Sequence, residues 1–368
     1  MKTNNIDTSS YALLGLLSAS LGLDCRVEDI QALTEAEWNR LIDISFDSGV
    51  AALAVDGYHS LGVETLLDEV RMRELRYEWF ASVLQVEDEY KYKFIRAARF
   101  ANALEQQDVQ CRVLKGMSFA TYYRCPDHRE CGDCDVYLGS GFETGNDVAL
   151  QLGGKYEFGT YKHSHLYFGK LMVENHRYLT DFNGTRQGRK TELLLESIID
   201  EAPGKKIGDS QLICPNDHFN ALFLIKHAHG NFLYGGLTLR MIYDWAALLI
   251  CCQDRLDWKL LNEEFAECRL LPFAHLMTSL CVDYLDVRLS CEDIGLCDDP
   301  ALVAEVMADT LAGGIHTRGK ETFPKKCLRI SRRFRRIWHF RHLATESVPR
   351  LIWNNFAFSS YLKRKIEM

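Results

Sequence analysis

Through the first hundred residues, apolar side chains recur at three- and four-residue intervals, the period of one face of an α-helix. This pattern predicts helices near 10–22, 27–44, 48–58, 63–81 and 84–107. In the last of them Tyr90, Phe94, Ala97, Ala98 and Ala101 form one stripe, and charges fill the opposite face. The texture changes at Val109. V-Q-C-R-V-L is short and rich in strand formers, and it runs into Lys115-Gly116 as a strand runs into a tight turn. A short helix over 118–124 and a polar turn lead to a second strand, C-D-V-Y-L. Phe142 to Leu152 reads as a helix ended by Gly153-Gly154. Three strand-like runs follow: K-Y-E-F-G-T-Y, H-L-Y-F-G-K and L-M-V-E-N-H-R-Y-L. Residues 109–180 thus predict a compact α/β unit with a mixed sheet. From Pro215 the helical period returns. F-N-A-L-F-L-I-K-H-A-H-G stops at a glycine, and L-R-M-I-Y-D-W-A-A-L-L resumes. No internal repeat is visible.

The class expected is α+β: a small mixed-sheet core flanked by helical regions. The predicted divisions are an N-terminal helical region over 1–105, the core over 106–210, a C-terminal helical domain over 211–317 and a basic helical tail over 318–368. Composition fits a globular chain of 368 residues, 47% hydrophobic and 26% charged. The 13 cysteines follow no regular framework, which points to reduced thiols and a cytoplasmic location. The apolar stretch Y-A-L-L-G-L-L-S-A-S-L-G-L follows a poor n-region, and Asp24 before Cys25 spoils a cleavage site. It therefore reads as a globular helix. No stretch reaches the ~18 apolar residues of a membrane span. The net charge of -8 conceals an asymmetry, because residues 318–368 carry 14 Lys or Arg against three Glu. An acidic body argues against wrapping long nucleic acid. The tail suits an acidic partner, phosphate groups or an anionic membrane surface. Packed as a helix, it would turn Leu328, Phe334, Ile337 and Trp338 inward and its arginines toward the acidic body.

Candidate chemistry concentrates in C-P-D-H-R-E-C-G-D-C-D-V-Y-L at 125–138. On a strand, residues i and i+2 share a face, so Asp133 and Asp135 project side by side. Two such carboxylates repel unless a cation lies between them. Mg²⁺ meets that demand and keeps positions for substrate phosphates. Gly132 opens the turn and lets a ligand approach the backbone. Cys125, His128, Cys131 and Cys134 offer a rival, sulfur-rich set. Their uniform spacing of three suits a helical face, which Pro126 and Gly132 forbid, and Cys134 alternates away from the aspartates. His227 and His229, two apart on a helix, do not share a face; one suits an interior polar site and the other a cleft. Arg240 and Asp244, four apart, are placed to pair along one helix face. His163, His165 and His176 gather near Glu174 as possible contacts to an acceptor.

The order V-L-K-G-M-S-F, R-E-C-G-D-C-D-V-Y-L, L-M-V-E-N-H resembles the polymerase-β type of nucleotidyltransferase. More narrowly, it resembles the group known as uncharacterised nucleotidyltransferases. The matching residues are Lys115-Gly116, Arg129, Gly132-Asp133-Cys134-Asp135 and Glu174-Asn175-His176, and the likeness covers roughly 84–250. The chain departs from the wider superfamily in having Lys115-Gly116, with Ser118 beyond, where Gly-Gly or Gly-Ser is usual. It also has Cys134 where an aliphatic residue is usual. The resemblance implies a nucleotidyltransferase core holding two Mg²⁺ ions on Asp133, Asp135 and Glu174. A nucleoside triphosphate, with ATP the expected donor, would pass its nucleoside monophosphate to an acceptor hydroxyl and release pyrophosphate. Lys115 or Arg129 would hold the triphosphate, near Gly116, Ser118 and Gly132. A plain ion pair to Asp127 or Glu130 is the other reading of Arg129. The acceptor would be a small molecule, a sugar or a protein side chain. Two other classes stay open at this point: a catalytically silent scaffold, and a metal or redox protein built on Cys125, Cys131 and Cys134.

Overall fold

The computed structural model describes residues 6–181, 185–313 and 323–351, with side chains in the last segment from 331 onward. Five helices come first: α1 (Thr8–Ser20), α2 (Val27–Gln31), α3 (Glu35–Asp47), α4 (Ala51–Leu61) and α5 (Arg73–Glu105). The predicted 27–44 helix is two, because Thr34 starts a new one. Its hydroxyl caps the Glu37 amide and the Glu37 carboxylate returns to the Thr34 backbone, a reciprocal box that fixes a helix start. The segments predicted over 63–81 and 84–107 give mostly one helix of 33 residues, α5, preceded by two short 3₁₀ turns. No Gly or Pro falls between Arg73 and Glu105 to interrupt it.

The sheet follows, with β1 (Cys111–Val113), α6 (Met117–Ala120), β2 (Cys134–Tyr137), α7 (Phe142–Gln151), β3 (Lys155–Phe158), β4 (His163–Phe168) and β5 (Leu171–His176). After α8 (Arg186–Glu201) come β6 (Lys205–Lys206) and β7 (Leu212–Cys214), which complete a seven-stranded sheet of order β3-β4-β5-β2-β1-β7-β6. The sheet is mixed: β1 runs parallel to β7 and β2 parallel to β5, while the other pairs are antiparallel. Thus the sheet reaches Cys214, past the expected change at 210. On one face, Ala97, Phe100, Ala101 and Leu104 of α5 and Val148 and Ala149 of α7 pack on Val113, Cys134, Val136, Leu166 and Val173. The stripe read from the sequence is therefore the ridge that seats α5 on the sheet.

The remaining helices are α9 (Asp217–Tyr234), α10 (Leu239–Cys252), α11 (Trp258–Glu267), α12 (Leu271–Leu285), α13 (Pro300–Leu311) and α14 (Phe323–His339). α9 runs through Gly230 to Tyr234, four residues beyond the predicted stop, and is capped at Gly235. The helices from both ends of the chain share one core, in which Leu13, Leu17, Trp38 and Trp79 join Trp245, Phe273 and Leu280. The Ser20 hydroxyl meets the Tyr243 hydroxyl at 2.9 Å inside it. On α14, Ile337 is buried as expected, but Phe334 and Trp338 are exposed at 37% and 61%. Arg336 turns inward instead, to the Asp309 carboxylate and the Phe232 carbonyl, under Phe340. The Leu328 side chain and residues 352–368 lie outside the described residues. Among the described residues no helix is long and apolar enough to cross a membrane.

α1 and α4 meet backbone to backbone at Gly57, where an added Cβ would run into the Leu16 carbonyl. Overpacking of this kind costs about 1–3 kcal/mol. Gly57→Ala should lower the urea midpoint accordingly; an unchanged midpoint would show that the crossing can open without loss.

Candidate active site

Strand alternation and register assemble the site. On β2, Cys134 and Val136 enter the core under α5, so Asp135 faces the opposite side. The parallel β2–β5 ladder sets Asp135 opposite Glu174, and the antiparallel β4–β5 ladder sets His165 opposite Glu174 and His163 opposite His176. His165, Glu174 and Asp135 thus form one row across three strands. Lys115 follows β1, whose ladder continues as the Leu114 amide donates to the Asp135 carbonyl. The next residue, Gly116, has φ 54° and ψ -107°, a backbone that side-chain-bearing residues seldom adopt. That turn brings the Lys115 ammonium to 2.5 Å from Asp135 Oδ1.

Asp135 is 1% exposed. Burial alone would raise its carboxyl, but Lys115 and His176 outweigh it and hold it well below the usual carboxylate range. His176 Nε2 lies 2.9 Å from Asp135 Oδ1 and 3.4 Å from Glu174 Oε2, while its Nδ1 faces the Tyr178 carbonyl at 3.2 Å. A carbonyl partner requires the proton on Nδ1. Nε2 therefore serves either as the second N–H of an imidazolium between two carboxylates or, in the neutral ring, as a lone pair aimed at a cation there. Glu174 is lowered too: burial, with Asp135, opposes ionisation, but His176, His163 and Lys115 together outweigh it. Asp133 behaves oppositely. Burial and the neighbouring Asp135 push it up, because Lys115 compensates it only in part. The ligand atoms of Asp135, Glu174 and His176 lie within 4.8 Å of one another. Two carboxylates beside a third whose ionisation is resisted form a donor set that suits a hard divalent cation. Asp133 is not part of that close cluster.

Two further basic groups, Lys162 and His227, face these carboxylates, and Lys226 stands beside Lys162 on the side of Asp181. Burial, then Lys115, pushes the Lys162 amine down; burial pushes Lys226 down against the pull of Asp181, and Lys162 adds to the fall. Burial and Lys115 also hold His227 neutral. Lys115, Lys162 and Lys226 thus make a lane of lysines beside an acidic cluster, with neutral His227 next to it. The sequence reading did not select Lys162 or Lys226, although each stands beside a histidine that it did select. His227 toward the cleft and His229 inward, accepted by the Leu343 carbonyl at 2.9 Å, match the two roles expected of that pair.

Two residues expected at the phosphates are engaged elsewhere. The Ser118 hydroxyl is fully buried, 3.1 Å from Cys214 Sγ and 3.5 Å from Asn220 Oδ1. Arg129 donates through Nε and Nη2 to the two oxygens of Asp244, at 2.7 and 2.8 Å, and Tyr123 donates to the same carboxylate. Both members of the ion pair are buried. Arg129 is therefore neither a free phosphate fork nor paired with Asp127, and Asp244 is engaged by Arg129 in place of Arg240. Arg240 turns to Glu130, donating to its carbonyl at 3.3 Å. Gly132 is exposed, with nothing within 4 Å of an added Cβ, so the backbone beside Asp133 is open to a ligand.

The rival sulfur set is divided. Cys134 lies in the core between α5 and the sheet, and Cys131 donates to the Arg129 carbonyl. The Lys93 ammonium of α5 donates to the Cys131 carbonyl and so ties this loop to the helix. His128 sits between Asp56 and Glu87, at 2.7 and 3.0 Å, with Cys125 near Asp56.

Residues 34–286 match the family model described as "Uncharacterised nucleotidyltransferase". No curated protein and no solved structure matches the chain.

Two predictions follow from the supports of the site. Arg129→Ala strands a buried carboxylate and should cost about 3–5 kcal/mol in urea unfolding; a cost under ~1 kcal/mol would show that Asp244 finds water or another cation. The hydrogen bond to Asp56, aided by Glu87, raises His128 to about 9 in the folded chain from 6.5. A raised folded value means that this stabilisation is complete below pH ~6.5 and lost as pH climbs through ~9. The stability difference between wild type and His128→Ala should therefore shrink over that window; a difference constant from pH 6 to 10 would refute the ion-pair account.

Proposed function

The chain belongs to the uncharacterised nucleotidyltransferase family, and from that premise we propose that it transfers a nucleoside monophosphate from a nucleoside triphosphate to an acceptor hydroxyl, releasing pyrophosphate. The observation that carries this reading is the convergence of Asp135, Glu174 and His176 opposite a lane of lysines. Asp133, Asp135 and Glu174 would hold Mg²⁺, which when bound neutralises phosphate charge and makes the acceptor hydroxyl more acidic.

The chain's own groups perform the rest. Asp135 stays ionised because Lys115 and His176 hold its charge, so the acidic side is ready without a proton leaving. Lys162 and Lys226 offer point charges to the β- and γ-phosphates, the part that departs. Among the described residues neither has an anionic partner within ion-pair distance, so neither must first break an ion pair. Gly132 leaves room for the triphosphate beside the backbone. Glu174, ionised and half-buried, accepts the acceptor's proton as the hydroxyl attacks the α-phosphorus. Positioning and fixed charge supply most of the acceleration. Arg129 acts at one remove: its pair with Asp244 fixes the loop that carries Gly132 and Asp133. ATP is the donor we assign, and the acceptor is a small molecule or a protein side chain.

Calorimetry with a non-hydrolysable ATP analogue and Mg²⁺ tests this. Asp135→Asn should abolish Mg²⁺-dependent binding, whereas Lys162→Ala and Lys226→Ala should each weaken it about 10-fold, the worth of one charged contact. Undiminished binding by Asp135→Asn would reject the assignment, and undiminished binding by both lysine variants would reject the phosphate lane.

A further inference from the structure

Glu174 has two oxygens, and they face different partners. Oε2 looks toward His176, 3.4 Å away, and through it toward Asp135. Oε1 looks the other way, toward β4, where His163 Nε2 and His165 Nε2 lie 3.7 and 3.8 Å from it. His163 and His165 are two apart on a strand, so they project from one face, and their rings stack with centroids 5.0 Å apart. The separations exceed hydrogen-bond length, so Glu174 accepts a proton from neither ring. They are instead close to the spacing of donors around one ion: Zn–N bonds of about 2.0–2.1 Å in a tetrahedron put donor atoms roughly 3.4 Å apart. The ligand atoms of His163, His165 and Glu174 lie within 4.8 Å of one another, as do those of Asp135, Glu174 and His176.

We propose that His163, His165 and Glu174 form a second, nitrogen-rich cation site that takes a borderline transition-metal ion such as Zn²⁺, Co²⁺ or Ni²⁺ in preference to Mg²⁺, with the Glu174 carboxylate bridging to the oxygen-rich side at Asp135. Donor chemistry sets the preference: imidazole suits Zn²⁺ and its neighbours, whereas Mg²⁺ wants oxygen. This rests on the reading above only in treating Glu174 as a shared ligand. It replaces two like ions with two unlike ones, so Mg²⁺ alone fills half of the centre. Protein donors number three here, which leaves positions for water or an acceptor oxygen, as at open zinc sites.

The test uses the full chain, stripped with chelator and titrated with Co²⁺ in the absence of nucleotide. Ligand-field bands in the visible should saturate at one equivalent and survive a large excess of Mg²⁺. His163→Gln/His165→Gln should weaken Co²⁺ binding at least about 10-fold while keeping the wild-type thermal transition. Should that double variant fail to fold, His165→Gln alone, whose side chain is 26% exposed, gives the same reading. Absent bands, bands displaced by stoichiometric Mg²⁺, or Co²⁺ binding indifferent to the histidines would overturn the proposal. Asp135→Asn separates the two claims. If it leaves Mg²⁺-dependent nucleotide binding intact while Co²⁺ still needs the histidines, the transfer reading fails and the nitrogen-rich site stands. The converse pattern removes the site and leaves the transfer reading.

Discussion

A carboxylate with 1% of its surface exposed cannot remain ionised unless positive charge comes to it, and Asp135 is such a group. Lys115 and His176 supply that charge, and much of the surrounding architecture exists to deliver them. Lys115 reaches Asp135 because β1 and β2 are hydrogen-bonded neighbours and Gly116 permits an abrupt turn. His176 reaches it because β5 lies parallel to β2 in a register that sets Tyr137 beside His176 and Asp135 beside Glu174. A one-residue slip of β5 would send Glu174 and His176 into the core under α5 and bring apolar Val173 to the cleft. The ridge of α5 that packs on Cys134, Val136 and Val173 therefore defends the charged face from behind.

The same constraint explains how the loop before β2 is held. Lys93 ties it to α5, His128 ties it to α4 and α5 through Asp56 and Glu87, and Arg129 ties it to α10 through Asp244. Three charged attachments from three directions fix one short segment. The turn carrying Gly132 and Asp133 is thereby presented with little freedom, as precise placement of a reacting phosphate requires.

What could be read from the sequence was what depends on short range. Strand alternation is local, so Asp135 on one face of β2 and Cys134 on the other were legible, whereas Asp133 lies in the turn before the strand and outside the close cluster. So was the α5 stripe, although the length of the helix was not. β7 was missed because three residues carry too little pattern, and its identity comes from pairing with β1, a hundred residues earlier. Arg129 and Ser118 were misplaced for a related reason. Arg129 is held by Asp244, 115 positions away, and Ser118 by Cys214 and Asn220, and no spacing rule anticipates such partners. Lys162 and Lys226 were overlooked because an isolated lysine carries no motif; only the fold sets Lys162 near Asp135 and Glu174 and Lys226 next to Lys162. The family match, over 34–286, extends beyond the stretch in which the resemblance was legible.

The central claim is that the Asp135–Glu174 face is where a nucleotide and its cations meet. The most direct measurement is a crystal structure of the full chain with a non-hydrolysable nucleoside triphosphate and Mn²⁺, with metals located by anomalous scattering. The account predicts a peak within bonding distance of Asp135 and Glu174, the Lys115 ammonium displaced from Asp135 Oδ1, and phosphates lying toward Lys162 and Lys226. A nucleotide bound elsewhere, with the Lys115–Asp135 contact intact and no metal on Glu174, would contradict it.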